Sequence, residues 1–524
     1  MEPTLGCGRL RICLVAILFG ILAHANGTEA PRELLLRLQH LVQQNPEGSR
    51  SQLDAAIKQY RSEPGLYNLL GIVEAQRKNG VAAEANFRKA LEVAPDFTGA
   101  LLNLGRLYLE RSSQDPKALG QALEAYQKVL SYERSNTEAL YQSALLLNRT
   151  GSYQASLSHL DRLPQEVQEQ PQSLAVRCAN QVGLKQPAVA AGTAERLLHS
   201  PALTEADVIA VLPQIEDRDG ALAVRMIEGL VQRRLAGRQV LWRLGWHYQQ
   251  QGKLPQARAQ LEEAEQDGPP SAEILQELAR VAYQQQDREG ALGYLAHARD
   301  LDPGSAAIHF FFGLVCIELN LPLEARKSLD EAVRLDPQNA FYNYALGSVA
   351  LRADPLQAIP YFEKYMQRKP DDPRGRFALG VAQFYLAEYE TATKNLRDVA
   401  DSKETASGAH YFLGRIAKIS EHLPEAEIEL KEAVAANPRF ADALAELGQL
   451  HVRLGRYDEA RNELERALAL EPYNFRVNIN LLIFYRKTKD PRADEQQARF
   501  DEIKKKQADD EPLLWRTIEV RPYQ

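Results

Sequence analysis

Histidine takes part in acid–base chemistry and metal ligation near neutral pH more readily than any other side chain. In this chain His247, His297, His309, His410, His422 and His451 fall in different helical segments, and none stands four residues from another. A metal site carried on one helix needs that spacing. The sequence contains no His-Glu-x-x-His, Cys-x-x-Cys, Gly-x-x-x-x-Gly-Lys-Ser/Thr or Gly-x-Ser-x-Gly. Those patterns carry the zinc, phosphate and nucleophile-elbow chemistries. Carboxylates are abundant, but they sit beside basic residues on polar faces, as Asp458 and Glu459 do with Arg461. The expectation is a protein that is not an enzyme, with no catalytic residue, metal or cofactor.

The elements that position these residues are repeats. Pro269, Pro303 and Pro337 lie 34 residues apart, and alanines keep step at Ala257, Ala291, Ala325, Ala358, Ala392, Ala426 and Ala460. Glycines do the same at Gly313, Gly347, Gly380, Gly414 and Gly448. A period in this range marks units that cannot bury an apolar face alone. Within residues 238–271, Leu241, Leu244 and Tyr248 share one face of a first helix, with Gly245 admitting a close neighbour. Gly252 ends that helix in a short turn, Ala257, Leu261 and Ala264 repeat the helical spacing, and Pro269 stops the second helix. The unit is a helical hairpin.

This pattern resembles the tetratricopeptide repeat, with further copies at Leu444, Leu447, Gly448, Ala460, Leu464, Ala467 and Pro472, and at Tyr67, Leu70, Gly71, Ala83, Phe87, Ala90 and Pro95. The resemblance implies an all-α, right-handed α-solenoid of about 12 hairpins, whose first helices line a concave groove that binds another protein. Carrying the family's groove positions onto this chain gives Trp242, Phe310, Tyr344, Phe377 and Tyr411 at one offset, with Gln276 as the exception. Trp246, Tyr283 and Phe384 come from two further offsets. Aromatic residues are 7% of the chain, so the bias is strong. Two readings stay open: an aromatic groove for an extended peptide or a glycan, or a stripe packed as core between neighbouring helices. Arg280, Arg415, Lys418 and Arg453 would favour an acidic ligand. The family's carboxylate clamp is not supported, because Asn68, Ile72, Asn103 and Glu138 occupy its positions without the lysines.

The net charge of −7 over 524 residues gives no basis for nucleic-acid binding. Arg9 and Arg11, the apolar run Ile12–Leu22 and Ala23-His24-Ala25 have the order of a secretory signal cleaved after Ala25. Its apolar run would span only ~16 Å as a helix, short of a membrane core, so the expectation is a secreted or periplasmic protein with no integral membrane span after cleavage. Cys178 and Cys316, about four repeats apart, read as small buried residues rather than a disulfide. Asn26-Gly27-Thr28 and Asn148-Arg149-Thr150 match the glycosylation sequon. The expected organisation is a signal (1–25), capping helices over 26–63 (Arg32–Gln44 and Ser51–Arg61), a first repeat block (64–171) and degenerate repeats (172–237). A second block (238–474), a capping helix region (475–506) and a tail (507–524) follow. The tail, running Glu511-Pro512-Leu513-Leu514-Trp515 into Ile518 and Val520, reads as a cover for the last helix, a docking strand for a partner, or a segment lying in the chain's own groove.

Overall fold

The computed structural model describes residues 30, 32–113 and 115–506; the expected signal, the sequon at Asn26 and the tail lie outside them. Among the described residues there are thirty helices and no strand. The chain is all-α, an α-solenoid of helical hairpins in sequence order. It forms two compact units, divided between His247 and Tyr248.

In the first unit the capping helices are Arg32–Gln44 and Pro46–Gln59. The second begins five residues before the expected Ser51, because Asn45 accepts the Gly48 amide at 2.9 Å and Pro46 pre-sets the first turn. Hairpins follow as Pro64–Gln76 with Gly80–Val93, Thr98–Arg111 with Lys117–Tyr132, and Thr137–Arg149 with Tyr153–Asp161. Between residues 171 and 232 the pattern loosens into Pro171–Gly183, Pro187–His199, two short helices and Gly220–Gln232.

The second unit shows why the period is kept. Every alanine of the ladder from Ala257 to Ala460 is fully buried where the two helices of a hairpin meet. The glycines face a large side chain fifteen or sixteen residues on: a Cβ on Gly414 would lie 2.7 Å from Leu430 Cγ, and one on Gly448 would lie 2.7 Å from Leu464 Cγ. Small meets large at each hairpin, which fixes the distance between its helices. The linkers carry a second lock. Asn343 Nδ2 and Asn478 Nδ2 donate to the carbonyls of Pro337 and Pro472 at 3.1 and 3.0 Å, and His309 Nε2 lies 3.1 Å from the Pro303 carbonyl.

The segment expected as a capping helix region, 475–506, is a complete hairpin, Phe475–Thr488 with Ala493–Lys506. Lys489 turns the chain at φ 56° at the place held by Gly252 and Gly455 in two other hairpins, and Pro491 keeps the first helix from running on. Leu482 stands where its predecessors carry Gly414 and Gly448.

Candidate interaction cleft in the second unit

The predicted groove residues divide into two groups. Tyr344, Phe377, Phe384 and Tyr411 are buried, each 6% exposed or less, and belong to one core cluster. Tyr344 packs 4.8 Å from Tyr365, Phe384 5.1 Å from Phe412 and Tyr411 5.0 Å from Phe440, ring centre to ring centre. For these four the core reading holds, and they present no groove surface. In the second unit Phe310 is half-buried with its ring 4.7 Å from Tyr342. Tyr283, also half-buried, is covered by the Arg288 guanidinium 4.0 Å from its ring and pairs through its hydroxyl with Glu318. Arg280 lies 3.6 Å from Glu277. In the first unit Trp242 is half-buried, while Trp246 is 42% exposed with its ring against His247.

The buried aromatics have a second effect, on Arg415. Its guanidinium lies 4.6 Å from the Phe384 ring centre and 5.5 Å from that of Tyr411, so the stripe holds a cation by its π faces. Arg415 lines a cleft of ≈ 390 Å³ with Lys418, Gln449, Arg476, Ile479 and Ile483. The cleft continues past Ile419 to Arg453 and Lys487 through a further ≈ 570 Å³. Its walls are the first helices of three successive hairpins, Ala406–Ile419, Ala441–Arg453 and Phe475–Thr488.

Two acids lie under this cleft. Glu446 is 3% exposed and pairs with Lys418 and with Arg476 Nη1 at 2.7 Å; Lys418 Nζ also donates to Gln449 Oε1 at 2.6 Å. Burial opposes the charge of Glu446, but Lys418, Arg476 and Arg415 outweigh it and hold the carboxyl below its ordinary range. Asp442, 3.7 Å from Arg476 and accepting from Asn474 Nδ2 at 3.3 Å, is pushed up to about 6 by burial, against the pull of Arg476 and Asn474. Paired buried acids fix the cations without presenting carboxylate surface. Between the cations, Ile419 (48%), Phe475 (41%) and Ile483 (40%) are exposed apolar side chains. Such a surface offers apolar burial at its centre and charge at its edge.

Arg415, Lys418 and Arg453 were legible in the sequence; Ile479, Ile483 and Arg476 were missed. The signal was present: the offset that gives Phe377 and Tyr411 reaches Ile479 two repeats later, and the offset that gives Trp246 reaches Arg415 and Ile483. Searching for aromatic residues hid them.

The first unit closes two other possibilities. The clamp positions bond to one another: Asn103 Nδ2 donates to Asn68 Oδ1 at 2.9 Å, and Arg106 holds Glu138 through two nitrogens and Asn103 through a third. The sequon at Asn148 is structural, because that side chain is 2% exposed and its Nδ2 donates to Asn180 Oδ1 at 2.9 Å. Cys178 and Cys316 are free and fully buried, and burial pushes both thiols up to about 12.

Repeated hairpins with a small-on-large seam and an open face on their first helices define an α-solenoid interaction protein. Tetratricopeptide-repeat family models match residues 38–92, 276–340 and 419–477, so the chain carries tetratricopeptide repeats in both units. It is 25% identical over 166 residues to the Homo sapiens Protein O-mannosyl-transferase TMTC3, covering 30% of this chain. It is also 25% identical over 133 residues to the TPR repeat-containing protein YpiA of Bacillus subtilis (strain 168), covering 25% of this chain. The chain spans 18% and 31% of those two proteins' lengths. Among solved structures, a chain of the APC/C hetero-tetramer Cut9-Hcn1 is 13% identical with a TM-score of 0.41, covering 88% of this chain and 100% of that one. Yeast Tom70 is 16% identical with a TM-score of 0.35, covering 85% and 99%. Among the described residues no helix is long and apolar enough to cross a membrane.

Proposed function

We propose that this protein is a non-catalytic scaffold whose second unit binds an extended segment of a partner protein in the cleft between Arg415 and Lys487. The observation that carries this reading is the set Ile419, Phe475 and Ile483, exposed on the first and third of the three helices walling the cleft and flanked by Arg415, Lys418, Arg453 and Lys487. The fitting ligand is a peptide with large apolar side chains and acidic neighbours, held by apolar burial and steered by charge. A displayed peptide library selected on the protein should enrich acidic–apolar segments. Replacing Ile419 and Ile483 together by Asp, both exposed and so tolerable to the fold, should weaken those peptides by about tenfold or more, and binding to the native chain should weaken as salt is raised. Equal affinity for native and variant chains of unchanged helicity would remove the cleft from the function.

The amino-terminal order of Arg9, Arg11, the apolar run and Ala23-His24-Ala25 supports a secreted or periplasmic location for this binding. Sequencing the mature protein from its native host should find Asn26 first. A chain retaining Met1 to Ala25 would refute cleavage.

A further inference from the structure

Access to the cleft depends on where the chain goes after its last helix. Ala493–Lys506 folds back along Phe475–Thr488: Gln496 Nε2 donates to Asn478 Oδ1 at 2.9 Å, Arg499 Nη2 donates to the Pro472 carbonyl at 3.0 Å, and Phe500 packs tilted against Phe475 with ring centres 4.9 Å apart. Phe475 itself lines the cleft. The helix from Phe500 to Lys506 advances only about 9 Å, so the last described residue, Lys506, lies near the Phe475 end of the cleft.

The sequence of those residues complements the lining. Asp509, Asp510 and Glu511 are opposite in charge to a cleft edged by cations, Pro512 favours an extended chain over a continued helix, and Leu513, Leu514 and Trp515 are large and apolar. The spacer 507–510 spans at most about 13 Å and residues 511–520 about 33 Å when extended, so the reach is sufficient. We propose that residues 509–520 dock in the cleft of the same chain, with the acidic start against Arg415, Lys418 and Arg476, and Leu513, Leu514 and Trp515 on Ile419, Phe475 and Ile483. The tail is then a tethered competitor that a partner must displace. Tethering supplies an effective concentration on the order of millimolar, so a weak intrinsic affinity occupies the cleft.

This inference rests on the cleft being a peptide site, and the test separates the two. A labelled peptide of residues 507–524 is titrated into the native full chain, into a full-length Leu513→Asp/Leu514→Asp/Trp515→Asp variant, and into that variant carrying Ile419→Asp and Ile483→Asp as well. The expected result is binding to the tail variant at least about tenfold tighter than to the native chain, lost when the cleft is also changed. Equal binding to native and tail-variant chains, or none to either, overturns the docking. Library-selected peptides that bind the cleft while the tail peptide does not would refute this inference and leave the proposed function standing; if neither binds, both fall. A native chain whose sedimenting mass rises with concentration, beside a tail variant that stays monomeric, would make a second copy the occupant and overturn docking within one chain.

Discussion

At the scale of single residues, the charged groups of the second unit stabilise the fold by being paired inside it. His451 is 1% exposed, with Nδ1 2.8 Å from Glu463 and Nε2 3.4 Å from Glu427. The hydrogen bond to Glu463 opposes desolvation and, with Glu427, raises the imidazole above its ordinary value. Glu427 is held at about 2, foremost by its Lys431 hydrogen bond, with His451 and Arg456 adding to the effect. A base whose folded value is raised contributes stability that is complete below its unfolded value, about 6.5, and is lost as pH rises through the higher folded value. The urea midpoint of the native protein should therefore fall on going from pH 6 towards about pH 9. The drop should be smaller in His451→Gln, and parallel pH profiles for the two chains would show that the imidazole charge contributes nothing.

At the scale of one hairpin, the turn between its two helices sets the cost of each repeat. Gly252 and Gly455 take φ of 71° and 75°, as the sequence led one to expect of Gly252. Ala387 and Glu421 take φ of 59° and 61° at the same place without being glycine. Around Ala387 the turn is closed by the Glu388 amide donating to the Gln383 carbonyl at 2.9 Å. A left-handed backbone costs an L-residue about 1–2 kcal/mol, and glycine returns about 0.5–1 kcal/mol of that through unfolded-state entropy. Ala387 is exposed, so no packing is lost on its replacement. Ala387→Gly should stabilise the protein by about 0.5–1 kcal/mol, read from denaturant unfolding or from slower amide exchange in Pro373–Tyr385. A destabilised variant would mean that the methyl group contributes more than the turn costs.

At the scale of the whole molecule, the sequence determined the repeat because a period is a sum of local requirements. Ala426, Gly414 and Leu430 must be small, small and large for two helices to meet at one distance, and the same need recurs every 33 or 34 residues. Stops and turns at Gly252 or Pro303 are likewise local, so the hairpins, their order and the absence of catalytic motifs were legible from residue types alone. The start of Pro46–Gln59 and the hairpin at 475–506 were less so, because Asn45 caps the one through its side chain and Lys489 makes the turn of the other without being glycine. What only the tertiary structure decided was which periodic side chains reach solvent. A groove offset puts a residue on the first helix, but the neighbouring hairpin determines whether it is covered. Phe440 and Phe412 cover Tyr411 and Phe384, whereas nothing among the described residues covers Ile419 and Ile483 to the same degree. Tyr344, Phe377, Phe384 and Tyr411 therefore became core, the last two a bed for Arg415, and the cleft fell to Ile419, Phe475, Ile483 and cations. Burial is a property of neighbours distant in sequence, and periodicity carries no measure of it.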